Sequence, residues 1–235
     1  MVAFGATACE RVAVATFTPR SDPAFTFHYL TRDGTDGYSS SASPGRFDVQ
    51  AGVANGGRNT RLLVYPPAQP MSDDAQSCAT WKSQVGYHVQ QGLALRIRHD
   101  VEGGRWRAVT VMKNVVWGAN WQFNVLTWDS NEPQPWTMWG SVNLAPVFWP
   151  DQQLAALPWR VCARVEGDLV RIKGWDATKA EPGWDDPIHT GAVRIPIEWV
   201  YPGKAGWYVG HLGPAEAAEF TELTLDRLEI STAPR

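Results

Sequence analysis

"WRVCARVEGDLVRIKGWDATKAEPGW" occupies Trp159–Trp184. In its first half Trp159, Val161, Ala163 and Val165 fall on one side of an extended chain, and Arg160, Cys162 and Arg164 on the other. A period of two marks a strand with one apolar face and one mostly cationic face. Beyond Glu166-Gly167-Asp168 the alternation resumes, with Val170 and Ile172 on one side and Arg171 and Lys173 on the other. A turn of two or four residues places Val161 and Ala163 opposite Ile172 and Val170, on the same face. The segment reads as an antiparallel hairpin with those four residues in the core and Arg164 and Arg171 outside it. A solvated face accounts for the basic residues without a nucleic-acid ligand.

The pattern continues upstream. In "LALRIRHDVEGGRWRAVTVMKNVVWGANWQFNVLTWD" (Leu93–Asp129), Leu93, Leu95 and Ile97 alternate with Ala94, Arg96 and Arg98. Turns at Glu102-Gly103-Gly104 and at Gly118 break the segment into three long strands, a meander fit for the middle of one sheet. Further strand-like runs lie at Val12–Phe17, Phe25–Leu30, Arg46–Val53, Arg61–Tyr65, Trp136–Asn143, Ala192–Glu198, Gly206–Leu212 and Phe220–Ile230. Gly34–Gly45 and Pro66–Asp74 read as loops, and Gln152–Leu157 and Ala215–Ala218 as short helical turns. This spacing predicts an all-β, concanavalin A-like jelly-roll sandwich of two antiparallel sheets. Residues 25–235 read as one domain. Residues 1–24 read as an N-terminal arm that docks to an assembly or supplies the first strand, with its joint around residues 18–24.

Composition agrees. A hydrophobic share of 44% in 235 residues suits a sizeable core, and 21 Gly with 17 Pro predict frequent turns. A net charge of -3 argues against nucleic-acid binding. No apolar run approaches the roughly 20 residues of a membrane span. The N-terminus lacks the basic start and apolar run of a signal peptide, so synthesis in a cytoplasm is expected. Cys9, Cys78 and Cys162 are too scattered for a disulfide framework or a zinc site; reduced, buried thiols are expected, with a single bridge as the alternative. Of the 13 tryptophans, most are expected to pack in the core or at its rim, leaving a few as exposed platforms.

"QGLALRIRHD", "GRWRAVTVMKN" and "NWQFNVLTWD", followed by the opening stretch, resemble the concanavalin A/laminin-G-like domain of minor tail proteins from actinobacteriophages of the mycobacteriophage type. "VEGDLVRIKGW", "EPGW" and "GWYVGHL" are also similar to sugar-binding jelly rolls more widely. The resemblance covers roughly residues 46–230. It implies a virion component at or near the tail tip, lectin-like and without established chemistry, that contacts other tail proteins and host cell-wall glycan as a homo-oligomer. A bacterial carbohydrate-binding module or lectin is the alternative, and a glycoside hydrolase or lyase of the same fold a third.

Hydrolysis calls for two carboxyl groups across the scissile bond. No Glu-x-Asp-x-Glu strand occurs, and Glu181, Asp185 and Asp186 fall in a Pro/Gly-rich loop, so no catalytic residues are assigned. No cofactor is called for, although Asp176, Asp185 and Asp186 are oxygen donors of the kind Ca²⁺ takes. His189 and His211 read as ordinary polar residues. A sugar site wants a flat ring beside a carboxylate or amide. Trp128, Asp129 and Asn131 offer that combination, as do Trp175 and Asp176 with Trp184 and Asp185. Trp136 and Trp139 bracket a strand start after a Pro-rich turn and are candidates for exposed rings. Trp175 and Trp184 equally suit a cap over the core beneath a loop.

Overall fold

The structure, a computed structural model, describes residues 11–17, 25–33, 37–53 and 59–230. Two antiparallel sheets face each other as a jelly-roll sandwich. The first runs in the order β13 (Thr190–Arg194), β12 (Leu169–Asp176), β11 (Trp159–Glu166), β6 (Ala75–Val85), β15 (Ala217–Ile230), β4 (Arg46–Ala51) and β3 (Tyr38–Ser43). β1 (Arg11–Phe17) pairs with the later part of β15, so it joins the sandwich as a strand. The rest of the expected arm, residues 1–10 and 18–24, lies outside the described residues. The second sheet runs β10 (Trp136–Asn143), β9 (Ala119–Asp129), β8 (Arg105–Asn114), β7 (Gln90–Asp100), β14 (Lys204–Gly210), β5 (Arg61–Tyr65) and β2 (Thr26–Thr31). The expected meander is therefore the consecutive run β7-β8-β9. Among the described residues, helical structure is confined to α1 (Ala145–Phe148) and the 3-10 turns Pro150–Gln152 and Ile197–Trp199. No helix forms at 153–157 or 215–218; β15 begins at Ala217 instead.

The opening stretch forms the hairpin β11–β12. Gly167, first of two turn residues, takes a left-handed φ of 58°, the conformation a glycine-first hairpin turn requires. Ala163 pairs with Ile172 and Val165 with Val170, two residues along from the expected pairing, so every side chain keeps its face. Val161, Ala163, Val170 and Ile172 are all 0% exposed and belong to the main core. Replacing Ile172 by Ala is expected to destabilise by about 3 kcal/mol through lost transfer energy and a cavity. Arg171→Ala on the opposite face should cost less than half as much; equal losses in urea denaturation would refute the register.

Arg164 departs from expectation. It points away from the core, yet it is only 6% exposed, because the loop carrying Trp184 folds back over it. The expected reduced state of the cysteines is also corrected. Cys78 and Cys162 are direct cross-strand partners in β6 and β11 and form a disulfide, covered by Trp175 and Trp184. Cys9 lies outside the described residues.

The second sheet is rolled. β2 and β8 are separated in it by β5, β14 and β7, four intervals that would span about 19 Å if flat. Yet His28 of β2 stacks on Trp106 of β8 with ring centroids 3.6 Å apart, and His99 of β7 stacks on the other side at 4.2 Å. The face turned away from the main core thus becomes a trough with a small core of its own, including Leu63, Ala94, Met112, Trp128 and Tyr208. Burial and the neighbouring His99 push the His28 imidazole down to about 4, so His28 is uncharged at neutral pH.

Candidate functional site

Of the tryptophans, six are buried (81, 128, 159, 175, 199, 207), four are half-buried (106, 121, 149, 184), and three are exposed: Trp117, Trp136 and Trp139. Only the last three offer a ring to a ligand. Trp136 and Trp139 both sit on β10, the edge strand of the second sheet, after the turn Asn131–Pro135.

The turn is fixed at its base. The backbone amide of Asp129 donates to the carbonyl of Pro135 at 2.8 Å. The Asp129 carboxylate receives the Nε of Arg105 at 2.9 Å and the Asn131 amide at 3.1 Å. A second guanidinium nitrogen of Arg105 also contacts it. These bonds, Arg105 first, hold the Asp129 carboxyl below the usual carboxylate range. Pairing slips between Met138 and Gly140, a bulge that re-aims Trp139. Its indole N–H donates to Thr127 Oγ1 at 2.9 Å, so the ring is oriented in advance. Across from it, Arg107 lies over Trp199 at 4.2 Å and Tyr201 at 4.3 Å and donates to the Glu198 carbonyl at 2.9 Å. Together these residues line an open groove of about 600 Å³ at one end of the sandwich, with Trp136, Trp139, Arg105, Asp129, Glu132 and Glu198 on its walls.

Trp136 also borders the open end of the trough, a recess of about 350 Å³ floored by Met112, Leu126 and Tyr208 and rimmed by Val116, Trp117 and Met138. Trp117 is 84% exposed. The polar groups here are mostly engaged. Gln90 donates to the Lys113 carbonyl at 2.9 Å and accepts from Tyr208 at 2.7 Å, and Arg61 meets His211 at 3.0 Å. Burial pushes the Tyr208 hydroxyl up, keeping it protonated. Asn124 Oδ1 is buried without a hydrogen-bond partner.

The structure thus gathers Asp129, Trp136 and Trp139 from the expected residues and separates the others. Trp128 is 2% exposed on the trough floor, its indole N–H donating to Thr110 Oγ1 at 2.7 Å, because rolling of the sheet buries that face. Asn131 is exposed in the turn but does not line the groove. Trp175 and Trp184 lie on the outer side of the other sheet, Asp176 ends β12 opposite Trp159, and Asp185 is exposed in the loop that follows. Trp175 is 5% exposed beside the disulfide. Trp184 is covered by Arg164 at 4.1 Å, Lys173 at 4.7 Å and Arg171 at 5.5 Å, so the basic face of the opening hairpin serves to hold this ring. The alternative reading of Trp175 and Trp184 as a cap therefore describes them, with the difference that they cap the outer side of the sheet.

The loop acids are occupied as well. Asp176 accepts from the Thr178 amide and hydroxyl at 2.9 and 2.7 Å, which holds its carboxyl below the usual carboxylate range. Asp186 binds the Ile188 amide and His189 Nδ1, each at 2.9 Å, and Asp185 is exposed. Among the described residues, no group of three or more His, Cys, Asp or Glu side chains is placed to hold a metal ion. Nor is any helix among them long and apolar enough to cross a membrane. Sequence reasoning missed Arg105, Glu132, Glu198 and Trp117. Only Trp117 carried a signal, since a tryptophan next to Gly118 in a tight turn has no strand neighbour to cover it.

No protein-family model matches the chain, and no curated protein does. Solved structures do. The VIP36 exoplasmic/lumenal domain in its Ca²⁺/Man3GlcNAc-bound form superimposes with a TM-score of 0.52 at 9% identity, over 93% of this chain and 91% of that one. A prokaryotic β-1,3-1,4-glucanase (lichenase) from a mouse hindgut metagenome gives 0.50 at 8%, over 91% and 98%. The CBM2 module of the evolved Dit of Lactobacillus casei BL23 phage J-1 gives 0.43 at 8%, over 95% and 99%. At such identities the likeness is one of fold: a concanavalin A-like, lectin-type jelly roll.

Proposed function

We propose that this chain is a non-enzymatic, lectin-like component of a phage tail, a minor tail protein that meets host cell-surface glycan through the end groove. The observation that carries the reading is the presence of two exposed rings, Trp136 and the pre-oriented Trp139, beside hydrogen-bonding side chains in one open groove. A flat ring covers the apolar face of a pyranose, and neighbouring carboxylates accept its hydroxyls. The tail assignment is supported by the resemblance of Gln90–Asp129 to minor tail proteins. A disulfide suits a protein that works outside the reducing cytoplasm, on a virion surface. The non-enzymatic reading is supported by Asp129, which is locked to Arg105 and unavailable as acid or nucleophile.

Single sugar contacts of this size are weak, so adhesion relies on several copies in a virion, beside other tail proteins. Protein multimerised on beads is expected to bind host cell walls, whereas free protein binds poorly. Trp136→Ala and Trp139→Ala should each weaken bead binding about tenfold with an unchanged unfolding midpoint. Binding that survives both substitutions assigns the domain to assembly rather than adhesion. Absence of the chain from purified virions overturns the tail reading, and release of reducing sugar from the same walls overturns the non-enzymatic one.

A further inference from the structure

β7 and β8 place Arg98 directly opposite Arg107, and Asp100 opposite Arg105. Like charges facing each other across a strand pair repel, so such a pair needs compensation. Arg107 receives it only in part: its Nε lies 3.9 Å from Asp129, beyond hydrogen-bonding distance, and is buried without a hydrogen-bond partner. Stacking on Trp199 and Tyr201 fixes the guanidinium plane without neutralising it. Arg98 is exposed, and its side chain makes no hydrogen bond or ion pair among the described residues. Asp100 accepts from the Gly103 amide and forms no ion pair with Arg105, which is committed to Asp129.

These four side chains, three guanidinium groups and one carboxylate, line a recess of about 230 Å³. Arg105 and Arg107 are shared with the end groove that holds Trp136 and Trp139, so the two depressions are continuous at those residues. Glu132 and Glu198 line the groove and not the recess, which keeps the cationic surplus local.

We infer that the recess takes the acidic group, carboxylate or phosphate, of an anionic saccharide whose rings lie along Trp136 and Trp139. Guanidinium groups match both anions through paired, charge-assisted hydrogen bonds. An oxyanion set between Arg98 and Arg107 converts their repulsion into two attractions. The inference rests on the glycan-binding reading and adds the class of glycan.

The test is calorimetric titration of the whole chain with three probes: a galacturonic acid hexamer, a glycerol phosphate hexamer and neutral cellohexaose. At low salt one acidic probe should bind about tenfold more tightly than cellohexaose, the step expected for a charge-assisted contact. Which acidic probe wins distinguishes carboxylate from phosphate. The advantage should shrink in about 0.5 M NaCl, where exposed charges are screened. Arg98→Gln should abolish it while leaving cellohexaose binding unchanged, and Arg98→Lys should retain part. Equal binding of all three probes, or an acidic advantage that survives Arg98→Gln, overturns the inference and leaves glycan binding standing. Failure of every probe overturns the inference, and the bead-binding assay on host cell walls decides the glycan-binding reading separately.

Discussion

Reducing the Cys78–Cys162 bridge is expected to lower the free energy of unfolding by about 4.5 kcal/mol, the size the loop-entropy relation gives for a long closed loop. The bridge joins residues 84 positions apart, so in the unfolded chain it removes a large share of conformational freedom. In the folded chain it constrains little, because β6 and β11 are already paired from Trp81–Trp159 to Ala75–Val165. Its cover of Trp175 and Trp184 makes the reduced thiols small buried apolar groups, tolerable in place. Urea denaturation with and without a strong reductant measures the effect. The double variant Cys78→Ala, Cys162→Ala should match the reduced protein to within the cost of two small cavities. A midpoint that ignores reductant would show that the two sulfurs are not joined in solution.

The hairpin that carries one half of this bridge was plain from its alternation, whereas the strand carrying the other half was not. β6 reads AQSCATWKSQV, with Trp81 and the exposed terminal Val85 as its large apolar residues. It is nonetheless the centre of the first sheet, between β11 and β15, so neighbours on both sides satisfy its backbone. Its inward positions before Trp81 (Ala75, Ser77 and Ala79) are small because the opposite sheet comes close there. Ser77 donates to the Gly206 carbonyl at 2.5 Å and Trp207 to the Cys78 carbonyl at 3.0 Å, both across the sandwich. β3, YSSSAS, was hidden for the opposite reason: an edge strand with a solvated face needs almost no apolar residues.

At the site, local pattern revealed exposure only where a residue's neighbours in sequence are also its neighbours in space. Trp136 and Trp139 follow a Pro-rich turn on an edge strand, and they are exposed as expected. Trp128 is eight residues before Trp136 and directly paired with it, yet it is buried by β5, whose Arg61 lies over its ring at 5.6 Å. That contact depends on the roll of a whole sheet, which no window of sequence encodes. The same holds for Trp184: three cations from the preceding hairpin fold onto it, a pairing visible only once the loop returns.

Arg96→Met is expected to cost about 3–5 kcal/mol, the loss typical of removing one side of a buried charged network. The alternation of Leu93, Leu95 and Ile97 placed Arg96 on a solvated face, but pairing with β8 breaks between Leu95 and Arg98. Arg96 takes a left-handed φ of 50° there, and its side chain turns inward to 0% exposure, while Ile97 moves to the trough. The guanidinium then ties three loops together. It donates to the Asp73 carbonyl at 3.2 and 3.1 Å, to Trp199 at 2.8 Å and to Gly167, the turn of the opening hairpin, at 2.6 Å. Asp74, 3.6 Å away, balances its charge and accepts the Gly167 amide at 2.8 Å. Methionine fills much of the same volume but leaves those carbonyls and the Asp74 carboxylate without their donor. Lysine should recover only a minority of the loss, since one ammonium cannot reach three loops with the fork geometry of arginine. Because Trp199 is one of the three anchors and supports Arg107, the Met variant should also weaken glycan binding while the trough stays intact. A loss below about 1 kcal/mol in urea denaturation would mean that the loops hold one another without the arginine, and that the bulge in β7 has another cause.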